Sequence, residues 1–312
     1  MNKPSFLKDV LDGLNSNPKT LPAKYFYNEK GDQLFQQIMK LDSYYLSRAE
    51  AEVLSTYSKA IASKMQDSSW EIIELGAGDG SKTQTLLKVL LEQQSDVIYR
   101  PVDISAAVLD QLKKRLAKNL PQLPCDPIAS DYFSLKLEPS SQQKRLFLFL
   151  GSNLGNYTQK GILAFFSLLN ELLKKGDQLI LGLDLIKDPN RILNAYNDKE
   201  KVTAEFNFNL LRRINEELGG NFDISLFQHW ATYEPVLQEA RSYLISKEER
   251  TYEIDKGKYT VHFNAWEAIH VETSKKYSAR QLADLAKENG FEQTAEYQDK
   301  KGDFIDVVWA KL

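Results

Sequence analysis

The chain has 312 residues, 42% hydrophobic and 27% charged, with 40 Lys and Arg against 43 Asp and Glu for a formal net charge of −3. That length suits one large or two ordinary domains, and its interspersed charges offer no basic stripe for nucleic acid. The single cysteine, Cys125, excludes an internal disulfide and a cysteine-based zinc site, and no stretch reads as a signal peptide or membrane span; a cytoplasmic, monomeric protein without nucleic-acid or membrane partners is expected.

Residues 1–50 read as helical and rich in aromatics, with YFYNEKGDQLF and LDSYYLS ahead of a further helix. Ser47-Arg-Ala-Glu50 has the spacing of a capping box for that helix. From residue 70 to 186 five short apolar runs follow: WEIIEL (70–75), VIYRPV (97–102), DPIAS (126–130), RLFLFLG (145–151) and QLILGLDL (178–185). Between them lie stretches such as TQTLLKVLLEQQ and AAVLDQLKKRLAKNL, whose apolar residues fall at helical spacing. Strand–helix alternation of this kind predicts βαβ units, hence a parallel sheet with helices on both faces.

Residues 187–276 break that rhythm. They open with helical material and end in a predicted β-hairpin, ARSYLISKEERTYEI and KYTVHFNAWEAIHVET, joined by a DKGK turn. The chain then returns to the alternation with a helix, ARQLADLAKENG, closed by Gly290 at a C′ position. Two last strands, EQTAEYQ and DFIDVVWAKL, flank a DKKG turn. The expected organisation is therefore an α/β domain from 51–186 and 277–312, and a second, α+β domain from an N-terminal arm, 1–50, and an insertion, 187–276.

The first predicted strand runs into ELGAGDGSKT and then a helix. Glycines at 76, 78 and 80 allow a tight turn and close approach of a ligand, and the helix N-terminus adds oriented N–H donors. A dinucleotide fingerprint wants glycine at its sixth position, where this chain has Ser81. The spacing E-x-G-x-G-x-G instead resembles the S-adenosylmethionine loop of class I methyltransferases. Asp103 ends the second strand, where it can accept from ribose hydroxyls, and Asp131 follows the third, beside Tyr132, where acid and aromatic could bracket an adenine. Either acid could equally cap the helix after it.

Over nearly its whole length the chain resembles the histidine-specific Nα-methyltransferases of ergothioneine biosynthesis. The resemblance rests on LPAKYFYNEKGDQLFQQIMKLDSYYLSRAEAEVL, ELGAGDGSKT, VDIS, LGSNLGNYT, LGLDLIKDPNRILNAYND, VTAEFNFNLLRRIN and VETSKKY. It implies a seven-stranded, Rossmann-like class I methyltransferase sheet beside a substrate-binding domain. It also implies S-adenosylmethionine as cofactor and successive methylation of the histidine α-amine to the trimethyl betaine. Carried over position by position, the substrate carboxylate falls to Tyr44, Asn156 and Tyr196. Tyr27 and the backbone at Gly151 fall near the amine, and Glu272 and Ser274 at the imidazole. The catalytic set is then Tyr27, Tyr196 and Asn156, and the cofactor set Gly76, Gly78, Lys82, Asp103, Asp131 and Tyr132. No metal is implied.

Two segments depart from the family pattern. Arg241 and Ser242 stand where a Met-containing E-M-x-L segment is usual, and Asn153 replaces a small Thr or Ser. Both are expected near the substrate side chain, so a different amino acid or aromatic amine, such as a tryptophan derivative, is the competing expectation. Periodicity alone places Glu272 and Ser274 on one strand face without saying whether that face meets water or a ligand. His229, His262 and His270 show no ligand spacing and read as structural.

Overall fold

The computed structural model describes residues 3–65, 68–93, 95–137 and 143–312. The chain begins with α1 (Lys3–Leu14), β1 (Lys19–Thr20), α2 (Glu29–Ile38) and α3 (Leu46–Ser63). The alternating region follows as β2 (Trp70–Leu75), α4 (Thr83–Glu92), β3 (Val97–Asp103), α5 (Ala106–Asn119), β4 (Ile128–Ala129), β5 (Lys144–Phe149), α6 (Gln159–Leu172) and β6 (Gln178–Asp184). Then come α7 (Pro189–Tyr196), α8 (Val202–Leu218), β7 (Phe227–Glu234), β8 (Glu239–Ser246), β9 (Arg250–Ile254), β10 (Tyr259–Phe263) and β11 (Ala268–Lys275). The chain closes with α9 (Ala279–Glu288), β12 (Phe291–Gln298) and β13 (Phe304–Lys311).

The chain divides into two units, 1–45 with 187–275 and 46–186 with 276–312. In the second unit a seven-stranded sheet has the order β12-β13-β6-β5-β2-β3-β4. Strands β2 to β6 are parallel where they pair, while β13 runs antiparallel to both β6 and β12. This order, with its one reversed strand inserted beside β6, is the class I methyltransferase sheet that the family resemblance implies. One face packs Ile73, Phe147, Leu181 and Trp309 with Phe165 of α6 and Leu282 of α9. The other packs Trp70, Ile72, Leu146, Ile180 and Val308 with Leu54 of α3 and Leu86 of α4. Near the carboxyl ends of the strands that second face becomes polar, through buried Glu74, Asp184 and Asp306.

Capping chemistry starts the helices where the sequence offers it. Ser278 and Gln281 form a reciprocal capping box at α9, and Gly290 takes φ +79° just beyond its end. The expected box at Ser47–Glu50 does not form. Helix α3 begins at Leu46, and Glu50 is fully buried with its carboxylate on Lys82 and on the Gly151 N–H, which it accepts at 2.6 Å.

The first unit holds a four-stranded sheet, β1-β11-β8-β7, and a separate ribbon of β9 and β10. The single predicted hairpin is thus split into a β8–β11 pairing and a β9–β10 pairing around the turn that the Lys258 N–H closes on Asp255 O, where Lys256 and Gly257 take φ +56° and +87°. Those left-handed values are what a type I′ turn between twisted strands demands. Strand β7 was not expected. Apart from Phe227 its residues are half-buried or exposed on both faces, so FQHWATYE carries no clean alternation, and pairing with β8 defines it. The unit's core joins Phe6, Phe26, Phe206, Leu210, Tyr252, Phe263 and Val271.

Candidate functional site

In the second unit the glycine loop leaves β2 with Gly76 at φ +70° and Gly78 at φ +53°, values that favour glycine. A side chain at Gly78 would meet nothing within 4 Å, so the loop presents bare backbone at that point. Gly80 serves packing instead: a Cβ there would stand 2.6 Å from Leu112 Cδ1, and its absence lets α5 close against the loop. Asp103 fixes the loop from the neighbouring strand. Its Oδ2 accepts the Gly78 N–H and its Oδ1 the Ser105 N–H, each at 2.9 Å. Each carboxylate oxygen retains a further lone pair, so this oriented, half-buried acid can still accept from a diol.

Beneath the loop, Glu74 is buried and accepts hydroxyl donors from Thr83, at 2.7 Å, and from Tyr99. Burial, against the opposing help of those two donors, pushes its pKa from 4.5 up to about 7. Because the folded value lies above the unfolded one, Glu74 contributes fully to stability below pH 4.5, and that contribution is lost as pH rises through about 7. The loss amounts to roughly 3 kcal/mol. Glu74→Gln is expected to flatten the fall in melting temperature between about pH 5 and about pH 8; an unaltered profile would assign that slope to other groups.

Lys82 stands at the N-cap of α4, where a cation opposes the helix dipole unless an anion is near. Burial disfavours its charge, yet the Glu50 carboxylate outweighs this and holds its pKa above the ordinary lysine value. At the end of β5, Gly151 (φ +79°) and Ser152 (φ +60°) form a left-handed pair; the second is a conformation that non-glycine residues rarely adopt. Ser152 is stapled there, its N–H donating to Gly182 O at 3.0 Å and its Oγ accepting from Asp184 N at 3.1 Å. Asn153 donates from Nδ2 to Leu150 O at 2.8 Å. A Cβ on Gly76 would lie 3.5 Å from that Nδ2, and one on Gly151 would lie 3.6 Å from it and 3.7 Å from Lys82 Nζ. Gly76, Gly151, Lys82 and Asn153 therefore converge. With its N–H engaged by Glu50, Gly151 has its carbonyl to offer a ligand, which suits an amine rather than a carboxylate.

Asp131 accepts the Phe133 N–H at 2.9 Å and caps a short 3-10 turn. Tyr132 packs edge-on to Phe149, with ring centroids 5.9 Å apart, and shares a hydroxyl hydrogen bond with Tyr157. Ile104 and Phe133, each just past one of the two acids, are exposed apolar side chains at the carboxyl ends of adjacent strands. A flat apolar ligand face would cover them. Asn156 is exposed at the end of the 3-10 turn after β5.

In the first unit, Tyr27 and Tyr44 are half-buried and meet the same ring: Phe35 lies 5.8 Å from Tyr27 and 6.2 Å from Tyr44, edge-on to both. Buried Tyr196 donates its hydroxyl to Ser274 Oγ at 2.7 Å. Opposite, Ser242 donates to Glu272 Oε2 at 3.3 Å. Cross-strand partners point to one side of a sheet. Glu272 pairs with Ser242 and Ser274 with Ala240, both on the buried face of β8, so Glu272 and Ser274 share that face.

Strict alternation from buried Ile269 and Val271 would have sent them to the other side. The register shift between His270 and Glu272 leaves Val271 without an opposite number and reverses the parity. A polar cluster of Glu272, Ser274, Ser242 and Tyr196 results. Ser242 marked a departure from the family pattern; here it is the neighbour that orients Glu272. Burial pushes the His229 pKa down to about 4, so that side chain is neutral. His270 bonds through Nε2 to Thr273 Oγ1 at 3.0 Å.

Residues 6–311 match the family model described as histidine-specific methyltransferase, SAM-dependent. The chain is 34% identical over 297 residues to a histidine N-alpha-methyltransferase of Mycobacterium tuberculosis, covering 95% of this chain and 92% of that protein. The same identity and coverage hold over 298 residues for the enzyme of that name from Mycolicibacterium smegmatis. An L-tryptophan methyltransferase of Psilocybe serbica is 26% identical over 326 residues, covering 95% of this chain and 90% of that protein.

Proposed function

Because the chain belongs to the histidine-specific, S-adenosylmethionine-dependent methyltransferases, we propose that it methylates the α-amine of L-histidine, in successive rounds, to the trimethyl betaine hercynine of ergothioneine biosynthesis. The observation that carries this reading is the polar cluster on the buried face of β11. Glu272 is an acceptor for a ring N–H. Ser274, already accepting from Tyr196, acts as a donor toward a ring nitrogen that carries no proton. Imidazole presents one of each; an indole ring has a donor N–H but no acceptor nitrogen, and would leave the Ser274 hydroxyl unmatched at a cost of about 1–3 kcal/mol.

The second unit's residues fit S-adenosylmethionine: bare backbone at Gly78, an oriented Asp103 for the ribose, exposed Ile104 and Phe133 for the purine, and Lys82 at a helix N-terminus. Asp131 and Tyr132 complete the proposed cofactor contacts, with Gly76. When bound, the cofactor supplies a methyl group already activated by its sulfonium. The protein's own task is alignment and dehydration of a neutral amine. In our reading Tyr27 and the Gly151 carbonyl orient the amine, while Tyr44, Asn156 and Tyr196 hold the carboxylate.

Incubation with labelled S-adenosylmethionine and each common amino acid, with products resolved by mass, tests the proposal. Histidine is expected to be the preferred acceptor and to accumulate as the trimethyl product; no methylated histidine would refute it. Ser242, in place of a bulkier apolar residue, supports the second reading, an N-methyltransferase for another amino acid or aromatic amine. That reading predicts that such an amine outcompetes histidine in the same panel.

A further inference from the structure

Helix α3 sends one charged side chain into the core of the second unit. Glu50 has no exposed surface, and its carboxylate joins two groups distant in sequence, the Lys82 ammonium and the Gly151 N–H. Its path depends on Gly182 of β6. A Cβ at that position would stand 2.2 Å from Glu50 Oε1 and 3.0 Å from Asp306 Oδ1, so only glycine leaves room for the carboxylate against the sheet. Asp306, paired with Gly182 across the strands, is buried, and neither of its carboxyl oxygens has a hydrogen-bond partner among the described residues. Burial and the nearby Glu50 charge raise its pKa well above the usual carboxylate range. The carboxylate in this notch that meets Lys82 and the Gly151 N–H is Glu50's.

We propose that Glu50 is a positioning residue of the cofactor cradle, whose buried carboxylate fixes the Lys82 ammonium and the Gly151 peptide relative to one another through the gap left by Gly182. The physical need is clear from both ends. Lys82 has a flexible four-carbon stem and sits where the helix dipole repels it. The Gly151–Ser152 turn is left-handed at two successive residues and benefits from an external tether. A charge-assisted bond to the Gly151 N–H also polarises the peptide it shares with Leu150, whose carbonyl accepts from Asn153 Nδ2. One carboxylate thereby orders three of the groups that converge beside Gly76. A cradle held in its bound geometry before the ligand arrives binds more tightly.

The proposal rests on the cofactor part of the functional reading and not on which amine is methylated. Its test is accordingly the affinity for S-adenosylhomocysteine, measured by calorimetry alongside the melting temperature. Glu50→Gln, which keeps the shape and removes the charge, is expected to weaken binding about tenfold. Lys82→Met is expected to weaken it too, and the double variant to fall short of the product of the two losses by at least about threefold, since one residue acts through the other.

Gly182→Ala displaces the same carboxylate without altering any charge; it is expected to reproduce the Glu50→Gln loss and stands in if that variant does not fold. Affinity unchanged within about twofold in whichever of these two variants folds, or losses that multiply independently, would overturn the proposal. Tighter binding by Glu50→Gln would overturn it as well, because Glu50 would then merely compete with the ligand for Lys82.

Discussion

Glu272→Ala is expected to lower kcat/KM for histidine by roughly 10- to 100-fold while leaving the affinity for S-adenosylhomocysteine within about twofold. The size follows from one hydrogen bond to a charged acceptor, about 1.5–3 kcal/mol, at about 1.4 kcal/mol per factor of ten. The separation follows from position. Glu272 stands on β11 in the first unit and bonds Ser242, whereas the glycine loop and Asp103 belong to the second unit. Steady-state kinetics at saturating cofactor and calorimetry of the free enzyme measure the two quantities independently. A parallel fall in both would point to damaged folding, and no fall in either would remove Glu272 as the reader of the ring. The same variant is expected to improve relative use of apolar aromatic amino acids, because it removes the acceptor that such rings leave unmatched.

Asp103→Ala should have the larger effect on the cofactor side, raising the dissociation constant for S-adenosylhomocysteine about 100-fold or more. Two contributions combine. The proposed ribose contacts are charge-assisted, each worth about 1.5–3 kcal/mol. The same carboxylate also holds the Gly78 and Ser105 N–H groups, so its loss frees the left-handed part of the loop. Asp103→Asn separates them, since its amide oxygen can keep one backbone bond while the charge is gone; an intermediate loss is expected. Binding within about threefold of the unaltered protein in both variants would show that neither the ribose contact nor the brace on the loop contributes to affinity.

The elements that were legible from sequence share a local cause. Runs such as WEIIEL and QLILGLDL are buried on both faces of a sheet, and stretches such as AAVLDQLKKRLAKN bury one face of a helix, so burial writes a period directly into the residues. The turn at Gly76 and Gly78 was legible because a strand-to-helix turn with left-handed backbone needs glycine. Glu50 was not. In sequence it completes a Ser-x-x-Glu spacing, and only the gap at Gly182, well over a hundred residues away, gives its carboxylate somewhere else to go.

Local pattern alone carried the βαβ order, the glycine loop and the nearness of Glu272 and Ser274 to each other along a strand. Tertiary structure decided which way that strand faces. One unmatched residue, Val271, opposite the run from Tyr243 to Ser242, turns Glu272 and Ser274 onto the buried side with Ser242 and Ala240. A bulge is a property of two paired strands rather than of either one, so strand β11 alone carries no sign of it. The same holds for β7, whose mixed residues become a strand by pairing with β8, and for Glu50, whose partners meet only when α3, α4 and β5 assemble around the sheet. Periodicity records what each segment buries, whereas contacts between distant segments exist only once the chain has closed on itself.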